Sequence, residues 1–527
     1  MAKKPATNNP LPTTNPTSKS TEPDKPNLTA LDEDQLNYAL LQAQSALRAS
    51  RDKPNARGVL ILVNGMEKSG KGEAVKTLSE WMDARYLKVH ATMGQYPSDY
   101  QPIWQRHTAQ LPRHGEVAVY FGNWYADLIR YYFDNIDNLD HARLSQMMED
   151  IEAFEQDLSN NNTEIIKCWF CVEANILKER LKEDPTIPEP LYHLDWNKSK
   201  HRKRFQQFTE HLLDKQASWH RIYDNDRDLS AIKFAQLVLD KLQQVNACID
   251  APVTNAKSAD EFKMADIPQE LLKPDSEALG KVTYKKYLER YQHTLAKLLT
   301  KRGSRHIILV FEGMDAAGKG GAIKRIIAPL DPREYAIHPI GAPTEDELKH
   351  PYLWRFWTRL PHDELVDIDL NPLRQRHPKA YNHLLKNAHD SRLTIFDRSW
   401  YGRVLVERIE GFAKPNEWQR AYDEINRFEQ DLTQSGAIVI KFWLAISNEE
   451  ELKRFNARED TPNKQYKITD EDWRNRSKWD EYVQAASDMI AHTHQTDCPW
   501  QIIATDDKYT ARLKVLKALI DRLDERL

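Results

Sequence analysis

The sequence predicts an α/β fold with two tandem domains, each a parallel sheet flanked by helices and carrying a helical lid. Apolar, β-rich runs alternate with helical stretches along the chain, which is typical of a parallel sheet covered by helices. A strand, a glycine loop and a helix start occur in that order twice, and several shorter motifs also recur. A chain of 527 residues is too long for one hydrophobic core.

The chain begins with a polar region and a first amphipathic helix. Residues 1–28 are rich in Pro, Thr, Asn, Ser and Lys, a composition that predicts a disordered tail. Between 31 and 50, apolar residues at helical spacing predict a helix with one buried face: Leu36, Ala39, Leu40, Ala43 and Leu47. A proline-containing polar stretch at 251–278 predicts a linker, so we expect domains at 29–250 and 279–527.

The second domain contains a phosphate-binding loop. An apolar run at 306–312 leads into Gly313-Met-Asp-Ala-Ala-Gly-Lys-Gly320 and then into helical sequence. The backbone N–H groups of such a loop and the following helix dipole attract phosphate oxygens, and Lys319 adds a positive charge. Gly320 stands where P-loops usually place a Ser or Thr that holds Mg²⁺. We therefore expect Asp315 to serve the metal, in a P-loop kinase-like domain.

The strand expected at 392–397 ends in a second candidate metal ligand. Further strands of this copy are predicted at 306–312, 336–340, 437–446 and 500–504. Asp397 fits a Walker B carboxylate, although an aspartate there also caps helices. Arg398 follows it, and Arg403 and Glu407 are four residues apart on an expected helix, where the alternative is a surface salt bridge.

Two further segments carry charge or aromatic groups. Residues 453–478 hold eight cations where phosphate kinases place a lid, although interleaved acids also fit a solvated helix face: Lys453, Arg454, Arg458, Lys464, Lys467, Arg474, Arg476 and Lys478. The segment Trp354–Arg359 either stacks a nucleobase or packs a helix onto the sheet, and we favour packing.

The two domains are copies, and the first has lost candidate site residues. Phe154-Glu-Gln-Asp-Leu158 recurs as Phe428-Glu-Gln-Asp-Leu432, and Lys167-x-Trp169 recurs as Lys441-x-Trp443. The first copy has Glu67 opposite Asp315, Phe121 opposite Asp397 and Asp184 opposite Arg458. Without the strand-end carboxylate, we expect the N-terminal domain to be catalytically inactive or only weakly active.

Composition excludes several classes of function. A net charge of −4 and a pI near 6.5 argue against nucleic-acid binding, which usually needs a basic domain. No apolar run approaches the roughly 20 residues of a membrane span and no secretory pattern begins the chain, so we expect a cytoplasmic protein without membrane contact. Cys168 and Cys171 lie in an apolar strand-like run and are interpreted as buried cysteines rather than a metal or redox site.

The two principal motifs resemble the polyphosphate kinase 2 family. Residues 313–325 are similar to its Walker A segment and 396–411 to its Walker B segment, and the tandem arrangement resembles the fused, class II members. The resemblance implies reversible transfer of the terminal phosphoryl of inorganic polyphosphate to AMP, giving ADP, by the C-terminal domain. It also implies Mg²⁺, with Mn²⁺ as a substitute, and a homo-oligomer, expected to be a dimer.

The resemblance assigns roles to individual residues. Asp315 and Asp397 would hold the metal, Lys319 and Arg398 would bind the transferring phosphoryl, and Arg403 and Glu407 would complete the catalytic set. The remaining phosphate- and nucleotide-binding positions are Gly313, Ala316, Ala317, Gly318, Gly320, Lys324, Arg355, Arg454 and Arg458.

One departure from the family leaves alternatives open. About 27 extra residues, roughly 362–390, precede the Walker B strand: the repeat offset changes from 248 at Lys71 and Lys319 to 274 at Phe154 and Phe428. The insertion lies near the active-site end of the sheet, so the acceptor is open among AMP, ADP and GMP. An ADP-using phosphotransferase, an ATP-dependent P-loop nucleotide kinase and a non-catalytic polyphosphate- or nucleotide-binding protein are the competing hypotheses.

Overall fold

A computed structural model describes most of the chain. The described residues are 32–92, 94, 97, 101–184, 194–215, 218–250, 262–303, 305–361, 376–377, 379, 393–461 and 470–527. The tail expected at 1–28, nearly all of the insertion expected at 362–390, and Lys464 and Lys467 of the basic cluster lie outside these residues.

The first part of the chain forms a five-stranded parallel sheet with the strand order β2-β3-β1-β4-β5. Its strands are β1 (Gly58–Gly65), β2 (Leu87–Ala91), β3 (Val117–Phe121), β4 (Thr163–Cys171) and β5 (Trp219–Tyr223). Its α-helices are Glu33–Ala49, Lys71–Trp81, Trp124–Asp134, His141–Asn160, Ala174–Glu183, Ser199–Lys215 and Arg227–Asp250, with a 3₁₀ turn at Gln105–Gln110. We call residues 33–250 the N-terminal unit.

The second part repeats this topology as β7-β8-β6-β9-β10, again with parallel pairs. Its strands are β6 (Ile307–Gly313), β7 (Tyr335–Pro339), β8 (Leu393–Asp397), β9 (Ile438–Ala445) and β10 (Trp500–Ala504). Its α-helices are Gln269–Leu272, Lys281–Leu299, Lys319–Ile327, Trp354–Trp357, Val406–Ile409, Pro415–Gln434, Asn448–Glu459, Asp470–Ser477, Trp479–Thr493 and Lys508–Arg526, and 3₁₀ turns lie at Pro332–Glu334, Glu347–Lys349 and Trp400–Arg403. We call residues 262–527 the C-terminal unit.

These elements follow from local chemistry. The first helix starts at a capping box in which the Asp32 side chain and Gln35 satisfy each other's backbone N–H groups, and it buries Leu36, Leu40 and Leu47 as its periodicity predicts. Every residue of β1 is buried, as expected for a central parallel strand covered on both faces. The predicted α/β fold with two helix-flanked parallel sheets is thus confirmed, and the predicted strand boundaries of the second copy differ from the observed ones by one residue at most.

One hydrophobic cluster spans both units, and the N-terminal unit has two further clusters of its own. Trp104 stacks on Phe154 at 4.7 Å between ring centroids and lies 5.7 Å from Trp357 and 6.3 Å from Phe428. Its indole Nε1 donates to Asp431 Oδ2 at 2.9 Å. Because Phe154 and Phe428 are equivalent positions of the repeat, the two copies pack through the same helix of each.

The remaining structural expectations concern the membrane and the cysteines. Within the described ranges, no helix is long and apolar enough to cross a bilayer. Cys168 is buried and Cys171 is partly buried, three positions apart on β4, and both are free thiols. Burial raises the pKa of both thiols, as expected of apolar, unreactive cysteines.

Candidate functional site

The phosphate loop connects β6 to the helix Lys319–Ile327. Gly313 has φ of +144°, and a Cβ there would lie 2.2 Å from the carbonyl oxygen of Leu444, so only glycine fits this turn. The Lys319 ammonium folds back onto the loop, donating to the carbonyl oxygens of Gly313 at 2.6 Å and Met314 at 3.3 Å. Burial, followed by the nearby Arg398, lowers the pKa of Lys319.

The Asp315 carboxylate lies in the loop between two hydrogen-bond donors. Arg398 Nη2 donates to Oδ1 at 3.0 Å, and Asn475 Nδ2 donates to Oδ2 at 3.0 Å. Burial alone would raise the pKa of Asp315, but Lys319 and Arg398 outweigh it and hold that pKa below its usual value. The carboxylate is therefore ionised near neutral pH.

Gly320, which stands where a P-loop usually has Ser or Thr, lies beside the carboxylate of Asp397. A Cβ built on Gly320 would meet Asp397 Oδ2 at 3.9 Å. The Asp397 carboxylate, at the end of β8, therefore faces the place from which a P-loop Ser or Thr hydroxyl would project. Among the residues described, no three His, Cys, Asp or Glu side chains are grouped to hold a metal. Two carboxylates completed by substrate phosphates fit the way proteins bind Mg²⁺.

Arg398 has a strained backbone and lines three cavities, the smallest of which has a volume of about 60 Å³. Its φ is +64°, in the left-handed region that non-glycine residues rarely adopt. It lines an open cleft of about 520 Å³ beside the phosphate loop, together with Lys319, Lys324, Asp397 and Arg458. It also lines a second cavity, described next, so the guanidinium stands at the boundary between two spaces.

The second cavity, which we call the interdomain pocket, has a volume of about 320 Å³ and is bounded by both units. Arg355, Arg403 and Glu407 line it. Arg403 and Glu407 form the ion pair that their spacing predicts, at 2.7 Å, and both are largely shielded from solvent. Arg355 donates to the carbonyl oxygen of Gly341 at 3.0 Å. Phe356 and Trp357 of the Trp354–Arg359 segment are buried, and packing is their observed role.

The basic cluster at 453–478 divides into two groups. Arg458 lines the cleft beside the phosphate loop. Arg454 binds the backbone of the phosphate loop by donating to the carbonyl oxygen of Ala316 at 2.8 Å. It also donates to the carbonyl oxygen of Asp506 at 2.6 Å and to the Glu450 carboxylate at 2.8 Å. Further cations of the cluster are in ion pairs: Arg474 and Lys478 with Glu410, and Arg476 with Glu451. Much of the described cluster is thus engaged within the protein.

Sheet register gives the same alignment of the two copies as the sequence. Phe311 pairs with Asp397, and Val63 pairs with Phe121, so Phe121 occupies the strand-end position of the carboxylate. At the position of Arg398 the first copy has Gly122, whose φ is +108°.

Charges of the first copy neutralise one another. Lys71 pairs with Glu67 at 3.2 Å within the loop. Asp127, which aligns with Arg403, pairs with Arg106 at 2.9 Å and hydrogen-bonds His107 at 2.8 Å. The N-terminal loop keeps the fold of a phosphate site but has an internal partner for its lysine.

Several contacts at the site could not be read from the sequence. Glu312 is buried beneath the loop and accepts from the Ser399 hydroxyl at 2.8 Å, and burial raises its pKa. In the first copy Asn64 and Asn123 occupy the same pair of positions and also hydrogen-bond, at 3.1 Å. Neither Glu312 nor Asn475 belongs to a recognisable motif; the repeat alignment alone would have paired Glu312 with Asn64.

The repeated Phe-Glu-Gln-Asp-Leu and Lys-x-Trp motifs form a buried ion pair in each copy. Lys441 Nζ lies 2.7 Å from Glu429 Oε2 and 3.0 Å from the Tyr401 hydroxyl, and both charged side chains are fully buried. In the first copy Lys167 Nζ lies 2.8 Å from Glu155 Oε2. The motif is structural, since it is present in both copies.

Comparison with known proteins identifies related chains. The family described as Polyphosphate kinase 2 (PPK2) matches residues 30–248, 278–368 and 380–527. A polyphosphate:AMP phosphotransferase of Acinetobacter johnsonii is 43% identical over 94% of this chain and 96% of its own length. One of Pseudomonas aeruginosa is 41% identical over 93% of this chain and 94% of its own. A crystal structure described as a putative polyphosphate kinase 2 from Pseudomonas aeruginosa PA01 superposes with a TM-score of 0.73 at 37% identity, covering 94% of this chain and 97% of that one.

Proposed function

Because the chain belongs to the polyphosphate kinase 2 family, we propose that it transfers the terminal phosphoryl of inorganic polyphosphate to AMP, and that the C-terminal unit carries the reaction. Two similar chains named for this activity align over more than nine-tenths of their own length. The observation that carries the assignment to the C-terminal unit is Arg398, which borders both the loop cleft and the interdomain pocket.

The chemistry of the two spaces separates donor from acceptor. Lys319, Lys324, Arg325 and Arg458 line the loop cleft, which suits a polyanion held at the start of a helix. The interdomain pocket combines arginines with carboxylates and apolar groups, which suits a nucleoside monophosphate. Polyphosphate then lies in the cleft, AMP lies in the pocket, and their phosphates meet at Arg398.

The residues present account for the transfer. An AMP phosphate oxygen, already anionic near neutral pH, forms a bond to the terminal phosphorus of polyphosphate. The bridging P–O bond breaks, and the shortened polyphosphate leaves with that electron pair. Such a transfer needs alignment and charge neutralisation rather than a general base. Lys319 and Arg398 supply positive charge at the transferring group, and Arg454 keeps the loop in place.

Asp315 and Asp397 would hold Mg²⁺, or Mn²⁺ in its place. The bound cation supplies Lewis-acid charge neutralisation to the phosphate oxygens. The two carboxylates fit such a cation because Asp397 faces the place from which a P-loop hydroxyl would project, and Asp315 is held ionised within the loop.

A direct assay tests the proposal. ADP formation from AMP, Mg²⁺ and long-chain polyphosphate is measured for the wild type, Asp397→Asn, and the matched loop variants Lys319→Ala and Lys71→Ala, with ATP as a control donor. We expect Asp397→Asn and Lys319→Ala to lose at least about a hundredfold in rate, while Lys71→Ala stays within about twofold of wild type. Turnover with ATP but not polyphosphate would refute the donor, and an equal loss in both lysine variants would refute the assignment to one unit.

A further inference from the structure

Three residues of the N-terminal unit form one wall of the interdomain pocket. His114, Asn161 and Asn162 line it together with Arg398 and Arg403 of the C-terminal unit. Its volume of about 320 Å³ is in the range of small-molecule sites. A unit that lacks a strand-end carboxylate of its own therefore contributes surface to the space beside the intact one.

This wall is fixed by hydrogen bonds across the interface. The backbone N–H of His114 donates to the carbonyl oxygen of Lys349 at 2.9 Å. Asn161 Nδ2 donates to Glu424 Oε1 at 3.1 Å, and Asn161 Oδ1 accepts from Arg420 at 3.3 Å. The N-terminal residues are thus held in register with the C-terminal ones, as a preorganised site requires.

The pocket lining carries buried polar atoms that lack partners. His114 Nε2, the Tyr352 hydroxyl and Arg355 Nε are inaccessible to solvent, and the described part of the chain offers none of them a hydrogen bond. Buried polar atoms are normally paired, so three unpaired ones on residues that line one cavity point to a ligand, which they would reach after a small rotation of their side chains. Burial, with smaller effects of His350 and Lys349, lowers the pKa of His114 to about 4, so its imidazole is neutral near pH 7.

The orientation of an acceptor follows from the charges. Its phosphate has to lie beside Arg398 and Arg403 to meet the donor, so its base extends away from them into the rest of the pocket, which the N-terminal residues help to line. Glu347, Glu407 and Glu417 also line the pocket. Carboxylates accept hydrogen bonds from ribose hydroxyls and from an exocyclic amine, whereas an ionised polyphosphate chain has no donor to offer them.

We infer that the N-terminal unit binds the nucleobase of the acceptor nucleoside monophosphate, with His114 as a specificity residue that contacts the base. This inference rests on the proposed function and gives the catalytically degraded unit a role in acceptor selection. A neutral imidazole offers one donor and one acceptor, which matches the edge of a heterocycle and not a phosphate.

Equilibrium binding to the full chain tests the inference without turnover. Isothermal titration with AMP, in the absence of polyphosphate, compares wild type, His114→Ala and the control His141→Ala, an exposed histidine at the start of the helix His141–Asn160. Ribose 5-phosphate, which has no base, serves as the second ligand. His114→Gln, which keeps a donor and an acceptor, addresses the case in which the alanine variant does not fold.

The expected result is a selective loss. His114→Ala raises the Kd for AMP about three- to tenfold and leaves ribose 5-phosphate within twofold, as loss of one hydrogen bond to the base predicts. His141→Ala changes neither, and His114→Gln retains most of the affinity for AMP. An unchanged Kd for AMP, an equal loss for both ligands, or no binding of AMP by wild type would overturn the inference. Failure of the proposed function is separate, because it appears as absent ADP formation while AMP binding is still measured.

Discussion

Replacing Arg398 by glycine and by alanine separates the backbone strain at this position from the function of its side chain. Arg398 has φ of +64°, whereas its counterpart Gly122 has φ of +108°. A left-handed conformation costs a non-glycine residue roughly 1–2 kcal/mol. Glycine removes this strain but loses about 0.5–1 kcal/mol through the entropy of the unfolded chain. The ion pair of Arg398 with Asp315 involves a half-exposed guanidinium, so its loss costs about 0–1 kcal/mol.

These contributions nearly cancel for glycine and not for alanine. Arg398→Gly is expected to change the free energy of unfolding by no more than about 1 kcal/mol, while Arg398→Ala, which keeps the strain, is less stable than the glycine variant. For units of this size, 1 kcal/mol corresponds to a Tm difference of roughly 2–4 °C. Both variants lose the charge at the transferring phosphoryl, so ADP formation should fall about 10²- to 10³-fold in each.

Thermal unfolding and the polyphosphate-to-AMP assay measure the two effects on the same preparations. An alanine variant at least as stable as the glycine variant would show that Arg398 is not strained. ADP formation within tenfold of wild type in both variants would show that the guanidinium is not needed for transfer. The second outcome would leave the P-loop lysine as the principal positive charge in the mechanism.

Further predictions concern the interface, the core and the metal. Burial, opposed by Arg427, raises the pKa of Asp157 to about 7. This pKa lies above the value of about 3.9 in the unfolded chain. The stabilisation from the protonated carboxyl group is therefore complete below about pH 4 and is lost as the pH rises through 7. The Tm of wild type should therefore fall between pH 4 and 7 relative to that of Asp157→Asn, and parallel curves would contradict this. Lys441→Met leaves Glu429 buried without its cation and should destabilise the protein by about 3–5 kcal/mol in denaturant unfolding, whereas the exposed control Lys453→Met should have little effect. Chelation of divalent cations should abolish ADP formation. Mg²⁺ without polyphosphate should shift the Tm by less than about 1 °C, because two carboxylates bind the cation weakly without substrate phosphates. A larger shift from Mg²⁺ alone would indicate that the protein by itself supplies a complete metal site.

Local sequence signals were sufficient for the sheets and for part of the candidate site. Alternating apolar runs and glycine turns depend on neighbouring residues, so the strands of the second copy could be placed from the sequence. Alignment of Trp124-Tyr125 with Trp400-Tyr401 also placed Phe121 opposite Asp397, which the sheet register confirms. That Asp315, Lys319 and Asp397 border one cleft was likewise predictable, because parallel strands bring their carboxyl ends to one edge.

The rest depended on contacts between distant segments. The sequence predicted a basic lid, but it could not show that Arg476 would pair with Glu451 or that Arg454 would bind the loop backbone. The position of Trp104 between the two units likewise depends on how two complete domains pack. The interdomain pocket has no sequence signature, because more than two hundred positions separate His114 from the C-terminal residues that line the same pocket.

Because the chain contains two copies of one domain, each residue of one copy can be compared with its counterpart in the other. The buried lysine–glutamate pair persists in the half that has lost the strand-end carboxylate, and so does the arginine that binds the loop, as Arg180 donates to the carbonyl oxygen of Lys68 at 2.6 Å. Arg403 and Arg458, by contrast, align with the acids Asp127 and Asp184. We interpret the buried pair and the loop-binding arginine, which both halves keep, as requirements of the fold, and residues confined to one half as candidates for the chemistry. Mutagenesis of this protein can therefore pair every substitution in one half with its counterpart in the other, and the difference between the two results removes the contribution of the fold.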